Sequence, residues 1–134
     1  MFFGAKIYRD DPRRDFRPRR PGRRVVVKIP VAVEAERIVT LRLLRGTRRH
    51  ALIEIGLDQR PFRVRGRQVE LRACPADATV AGRPVGRRTP FNGGFKLERP
   101  QCMKLAVEVE GTVEPLKRRI AFGRGTCRRG RVAR

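Results

Sequence analysis

Between residues 25 and 127 apolar and polar residues alternate with a period of two over much of the chain. Val25, Val27, Ile29, Val31 and Val33 share one parity, and Met103, Leu105, Val107 and Val109 alternate with Lys104, Ala106, Glu108 and Glu110. A strand points successive side chains to opposite faces, so each run predicts a strand with one buried and one wet face. Pro30 makes the first run an edge or a bend, because proline has no N–H to give to a ladder. Residues 34–45 read two ways. Val39, Leu41 and Leu43 alternate as in a strand, while the same stretch reads as a short helix closed by Gly46. Strand is preferred, since the neighbouring segments are strands. Residues 50–56 predict a short apolar strand with Glu54 facing out, and residues 61–65 and 68–74 predict two strands around Arg65-Gly66-Arg67.

Two turn signals stand out. Gly111 and Thr112 separate the run at 103–109 from a second alternation through Leu116, Arg118, Ile120 and Phe122, which predicts an antiparallel hairpin. Its wet face would set Glu108 and Glu110 across from Lys117 and Arg119. In Phe91-Asn92-Gly93-Gly94-Phe95, the residues Asn92, Gly93 and Gly94 predict a type I′ turn, which needs positive φ at both central positions. Short strands at roughly ten-residue spacing argue for an all-β fold. The expectation is a small antiparallel β-sandwich of seven or eight short strands with immunoglobulin-like layering, spanning residues 25–127.

The three cysteines, Cys74, Cys102 and Cys127, fall at or just past predicted strand ends. The preferred pairing is Cys74–Cys102 with Cys127 free. It would staple a Pro/Gly-rich loop, which the chain-entropy model values at about 3–4 kcal/mol. Cys102–Cys127 is the alternative, because the last hairpin carries Cys127 back toward Cys102. Three buried free thiols acting as small hydrophobes are the third reading. No CxxC pair is present and His50 is distant in sequence, so no metal site is expected.

Cys74-Pro75, then Pro90 with Gly93-Gly94-Phe95, Pro100 with Cys102, the Leu105 and Val107 strand, and finally Gly123 with Cys127 form a pattern over about the last 60 residues. It resembles small secreted or membrane-anchored proteins of high-GC actinobacteria, mostly uncharacterised. The resemblance implies an extracytoplasmic β domain and no known reaction. The chain opens Met1-Phe2-Phe3-Gly4-Ala5-Lys6, without the charged and apolar regions of a signal peptide, which by itself argues for the cytoplasm. Extracytoplasmic location is the expectation and cytoplasmic the alternative. No apolar run is long enough to cross a bilayer as a helix.

Charge changes the picture further. The net charge is +21, with 34 lysines and arginines against 13 acids, and arginine dominates. Residues 1–24 are rich in arginine and proline with little to bury, and read as a disordered leader or linker; residues 128–134 read as a basic tail. Such charge attracts anions over long range. Candidate anion-binding residues are Arg13, Arg14, Arg17, Arg19, Arg20, Arg23 and Arg24 in the leader. Arg63, Arg65, Arg67 and Arg72 would form a basic sheet face. Their simpler reading is a solvated face.

Catalytic chemistry is thin. The chain has no serine and a single histidine, His50. No carboxylate pair is spaced for acid–base work, and Gly123-Arg124-Gly125 has neither phosphate-loop spacing. No catalytic residue and no cofactor is expected. Two functional readings remain. One is a non-catalytic, disulfide-stapled extracytoplasmic module that meets an anionic envelope surface or a protein partner. The other is a cytoplasmic nucleic-acid-binding protein using arginine-rich tails and a basic sheet face. The oligomeric state is not legible.

Overall fold

Alternation of this kind buries half of each strand only if a second apolar face covers it. In the computed structural model, which describes residues 25–28, 31–46, 51–56, 64–123 and 127, that cover is a second sheet. The strands are β1 (Val25–Lys28), β2 (Val31–Glu34), β3 (Ile38–Leu43), β4 (Ala51–Ile55), β5 (Val64–Gly66), β6 (Gln68–Arg72), β7 (Thr79–Val80), β8 (Arg83–Pro84), β9 (Arg88–Phe91), β10 (Gly93–Leu97), β11 (Gln101–Val109) and β12 (Leu116–Phe122). One four-stranded sheet has the order β1-β10-β4-β5 and the other β12-β11-β3-β6, with β2-β9 and β7-β8 as two-stranded ribbons. Every pairing is antiparallel. The protein is an all-β antiparallel sandwich. Residues 38–43, ambiguous in sequence, are strand β3 with the burial alternation that a strand requires.

The inward parities of both sheets form one core. Leu43, Ile53, Leu97, Met103 and Phe122 are completely buried within it. Phe95 of β10 and Phe122 of β12 meet across the two sheets with ring centroids 5.9 Å apart in a tilted arrangement. Each such side chain contributes roughly 1.5–3 kcal/mol by leaving water.

Two sets of antiparallel pairings organise the strands. In the first, β1 pairs with β10 from Val25↔Leu97 to Lys28↔Gly94, and β2 pairs with β9 from Val31↔Phe91 to Glu34↔Arg88. Both stretches keep a single register, so they are one ladder with an interruption. Pro30, expected to mark an edge or a bend, lies outside the described residues. In the second, β3 pairs with β6 in one sheet while β4 pairs with β5 in the other. The two strands expected around Arg65-Gly66-Arg67 are β5 and β6, and they lie in different sheets. Residues 65–67 turn a corner between sheets, where Leu43 N–H donates to the Arg67 carbonyl at 2.8 Å.

Two further expectations are corrected. Asn92, Gly93 and Gly94 do not form a type I′ turn. Neither glycine has positive φ, and β9 and β10 continue the same ladder instead of folding back on each other. The type I′ geometry occurs at Ala81 (φ 51°) and Gly82 (φ 76°), joining β7 to β8. Gly93 is required for another reason. Its Cα is paired with that of Ile55, and a Cβ there would lie 2.7 Å from Ile55 Cα and 2.9 Å from Ile55 Cδ1, and against the Glu54 carbonyl oxygen. The second correction is to the β11–β12 register. Lys117 stands across from Ala106 and Arg119 from Lys104, so neither faces Glu108 or Glu110. Glu108 instead takes a hydrogen bond at 2.7 Å from Arg42 on the other neighbouring strand.

Candidate functional site

The disulfide joins Cys102 to Cys127, with a Cα–Cα separation of 4.7 Å, and Cys74 is free. The preferred Cys74–Cys102 pairing is thus corrected to its alternative. The register supplies the reason. Gln68 of β6 is level with Arg42, and Arg42 with Ala106. Cys102 precedes Ala106 by four residues and Cys74 follows Gln68 by six, in the opposite direction along the sheet. At ~3.3 Å per residue they are on the order of 30 Å apart, far beyond the ~7 Å limit for a bridge. The hairpin, in contrast, sets Ala121 directly across from Cys102, and Cys127 follows shortly after.

The predicted arginine face is divided. Arg65 lies on β5 of one sheet, across from Glu54, and Arg72 lies on β6 of the other. Glu54 is fully buried, with Lys96 Nζ 3.8 Å from its Oε2. A charge held away from water needs such partners, so Arg65 opposes a carboxylate already embedded in its sheet. Arg72 has a side chain 71% exposed and lies 3.6 Å from Glu70 on the same strand. Arg67 belongs to the corner between the sheets. Arg13, Arg14, Arg17, Arg19, Arg20, Arg23, Arg24 and Arg63 lie outside the described residues, as do His50 and the segments 1–24 and 128–134.

The outer face of the β12-β11-β3-β6 sheet carries the clearest charge pattern. Pairing places Lys104 directly across from Arg119, and Lys117 across from Ala106, on the same face. Lys104, Lys117, Arg118 and Arg119 are all exposed. Glu108 and Glu70 flank Thr40 farther along the strands, and Arg42 is committed to Glu108. Lys104, Lys117 and Arg119 gather toward the disulfide end of the face, while Glu108, Glu70 and the exposed Arg72 share the other end. Like charges directly opposite in a sheet are unfavourable by roughly 0.2–1 kcal/mol, so the Lys104–Arg119 juxtaposition departs from what stability alone favours. The alternation marked Lys117 and Arg119 as outward. What it lacked was the register, which assigns them a lysine and an alanine as neighbours in place of glutamates.

A second feature lies at the other end of the fold. The ends of β4 and β6, strand β9 and the β7-β8 ribbon enclose a cleft of about 490 Å³. Cys74 lines it, and its backbone N–H donates to Thr89 Oγ1 at 2.8 Å. Among the described residues no group of His, Cys, Asp and Glu is placed to hold a metal ion, and no helix is long and apolar enough to cross a membrane. No protein-family model, curated protein or solved structure matches the chain.

Proposed function

We propose that the chain is a non-catalytic extracytoplasmic β-sandwich module that docks on an anionic envelope surface through the cationic end of the β11-β12 face. The observation that carries this reading is the Lys104–Arg119 pair, with Lys117 on the same face. Exposed cations gathered at one end of a hairpin face are complementary to an anionic surface. The Cys102–Cys127 disulfide supports an oxidising compartment, in line with the resemblance of the cysteine, glycine and proline pattern to secreted actinobacterial proteins.

The test uses vesicles of phosphatidylglycerol and of phosphatidylcholine, and the full chain with Arg119→Glu. Arg119→Glu turns a like-charge pair into an opposite-charge pair, so it should stabilise the fold by a few tenths of a kcal/mol, up to about 1. The same change should weaken binding to phosphatidylglycerol, while phosphatidylcholine is not bound by either protein. A gain in stability with unchanged vesicle binding would remove the β11-β12 face as the docking surface. Nucleic acid as partner would show itself as binding that distinguishes two unrelated duplexes and survives about 200 mM salt, where purely phosphate-directed binding is largely lost.

A further inference from the structure

The cleft beside Cys74 has the lining of a small-molecule site. Ile55, Val80, Val85 and Phe91 give it an apolar wall, and among the described residues the charged ones along it are Arg72 and Arg83. None of the described residues lining it is a carboxylate, while the described surface elsewhere carries many. Its volume of about 490 Å³ falls within the ~300–1,000 Å³ typical of small-ligand pockets. Val80, 60% exposed, is one of three large apolar side chains that the described surface leaves open to water, and it is the one that lines a cavity. It is positioned by the Ala81-Gly82 turn, in which a non-glycine residue holds positive φ, a conformation that L side chains adopt at a cost. The ribbon thus holds an apolar side chain and a guanidinium, Arg83, over the same cavity at a local cost.

We infer that this cleft binds a single-chain amphiphile with one anionic head, its chain along the apolar wall and its head between Arg72 and Arg83. Guanidinium suits a carboxylate or phosphate through paired N–H donors. The exposed Glu70 beside Arg72 is a weak competitor, since solvent-exposed ion pairs contribute little. The site is separate from the β11-β12 face and stands whether or not that face docks on a surface.

Cys74 supplies the assay, because the other two cysteines are bridged and it is the chain's single free thiol. The rate of its alkylation by iodoacetamide is followed in the oxidised full chain with decanoate, decyl phosphate, decanol or decyltrimethylammonium, each below its critical micelle concentration. The inference expects decanoate, decyl phosphate or both to protect Cys74, with half-protection at least about tenfold lower in concentration than for decanol. The tighter of the two identifies the head group. Decyltrimethylammonium should not protect. Arg83→Glu and Arg72→Glu, both at exposed positions, should each abolish the preference for the anionic probes without lowering the melting temperature. Val80→Glu should abolish protection altogether. Equal alkylation rates with and without all four probes would overturn the inference. So would protection by decanol or the cationic amphiphile as strong as by the anionic ones, or an anion preference that survives both arginine reversals.

Discussion

Gly93→Ala tests the central claim about how the sandwich is assembled. An alanine Cβ would lie 2.7 Å from Ile55 Cα and 2.9 Å from Ile55 Cδ1, and would also press on the Glu54 carbonyl oxygen. Two of those three atoms belong to the backbone of β4, which is held between β10 and β5 and cannot step aside by changing rotamer. Overpacking of this kind costs about 1–3 kcal/mol, occasionally more, against about 0.4–1 kcal/mol returned by the stiffer unfolded chain. The expected net loss is about 1.3 kcal/mol, read as a lower urea midpoint and a melting temperature down by roughly 6 °C. Gly111 is the contrast, with φ at 84° and open space around its would-be Cβ. There the strain is conformational, and asparagine, which tolerates that region, should be milder than alanine. At Gly93 the order reverses, because asparagine adds bulk where there is none to spare. Ile55→Val removes the Cδ1 contact yet should not rescue Gly93→Ala, since the backbone contacts remain. A Gly93→Ala protein within about 0.5 kcal/mol of the parent, or an asparagine variant more stable than the alanine one, would refute the close-approach argument and restore the turn reading.

Other expectations follow from named contacts. Ala81→Gly should stabilise the protein by up to about 1 kcal/mol in urea melts, by relieving positive φ at a side-chain-bearing residue. Breaking the disulfide with Cys127→Ser should cost about 3.5 kcal/mol on the chain-entropy model for a separation of 25 residues; Cys74→Ser should cost far less, and the oxidised native protein should titrate one thiol. Phe122→Ala, which empties a fully buried site against Phe95, should cost about 3–5 kcal/mol. A double-mutant cycle on Arg42 and Glu108, whose side chains are 32% and 45% exposed, should return a coupling of no more than about 1 kcal/mol that fades with added salt.

Strand identity was legible because period-two patterning is local. The runs through Val39, Leu41 and Leu43 and through Met103 to Val109 became β3 and β11 with the faces the parity predicts. Pairing was not legible, because it depends on which distant strand comes to lie alongside. The corner at Arg67, the split of Arg65 and Arg72 between sheets, and the choice of Cys127 over Cys74 all follow from that one missing quantity. Gly93 was marked as special for the wrong physical reason. A glycine needed for space and one needed for positive φ look identical in a sequence until the neighbouring strand is known. The cleft was invisible for the same reason. Cys74, Arg83 and Phe91 meet only because the β7-β8 ribbon and β9 return to the ends of β4 and β6.

The interrupted ladder of β1-β2 with β9-β10 has a consequence for how the chain is made. Strand β1 ends at Lys28, and its partner β10 begins only at Gly93. At about 5–20 residues per second, ribosomes need about 3–13 s to synthesise the intervening stretch. The second sheet is completed later still, because β11 is the strand that joins β3 to β12. During those seconds β3 can already meet β6, and β4 can meet β5, since all four are made by residue 72. The valine-rich strands β1 and β2 are the ones left waiting, and they are the part of the nascent chain that a chaperone can hold, or aggregation can claim, until β9 and β10 have been made.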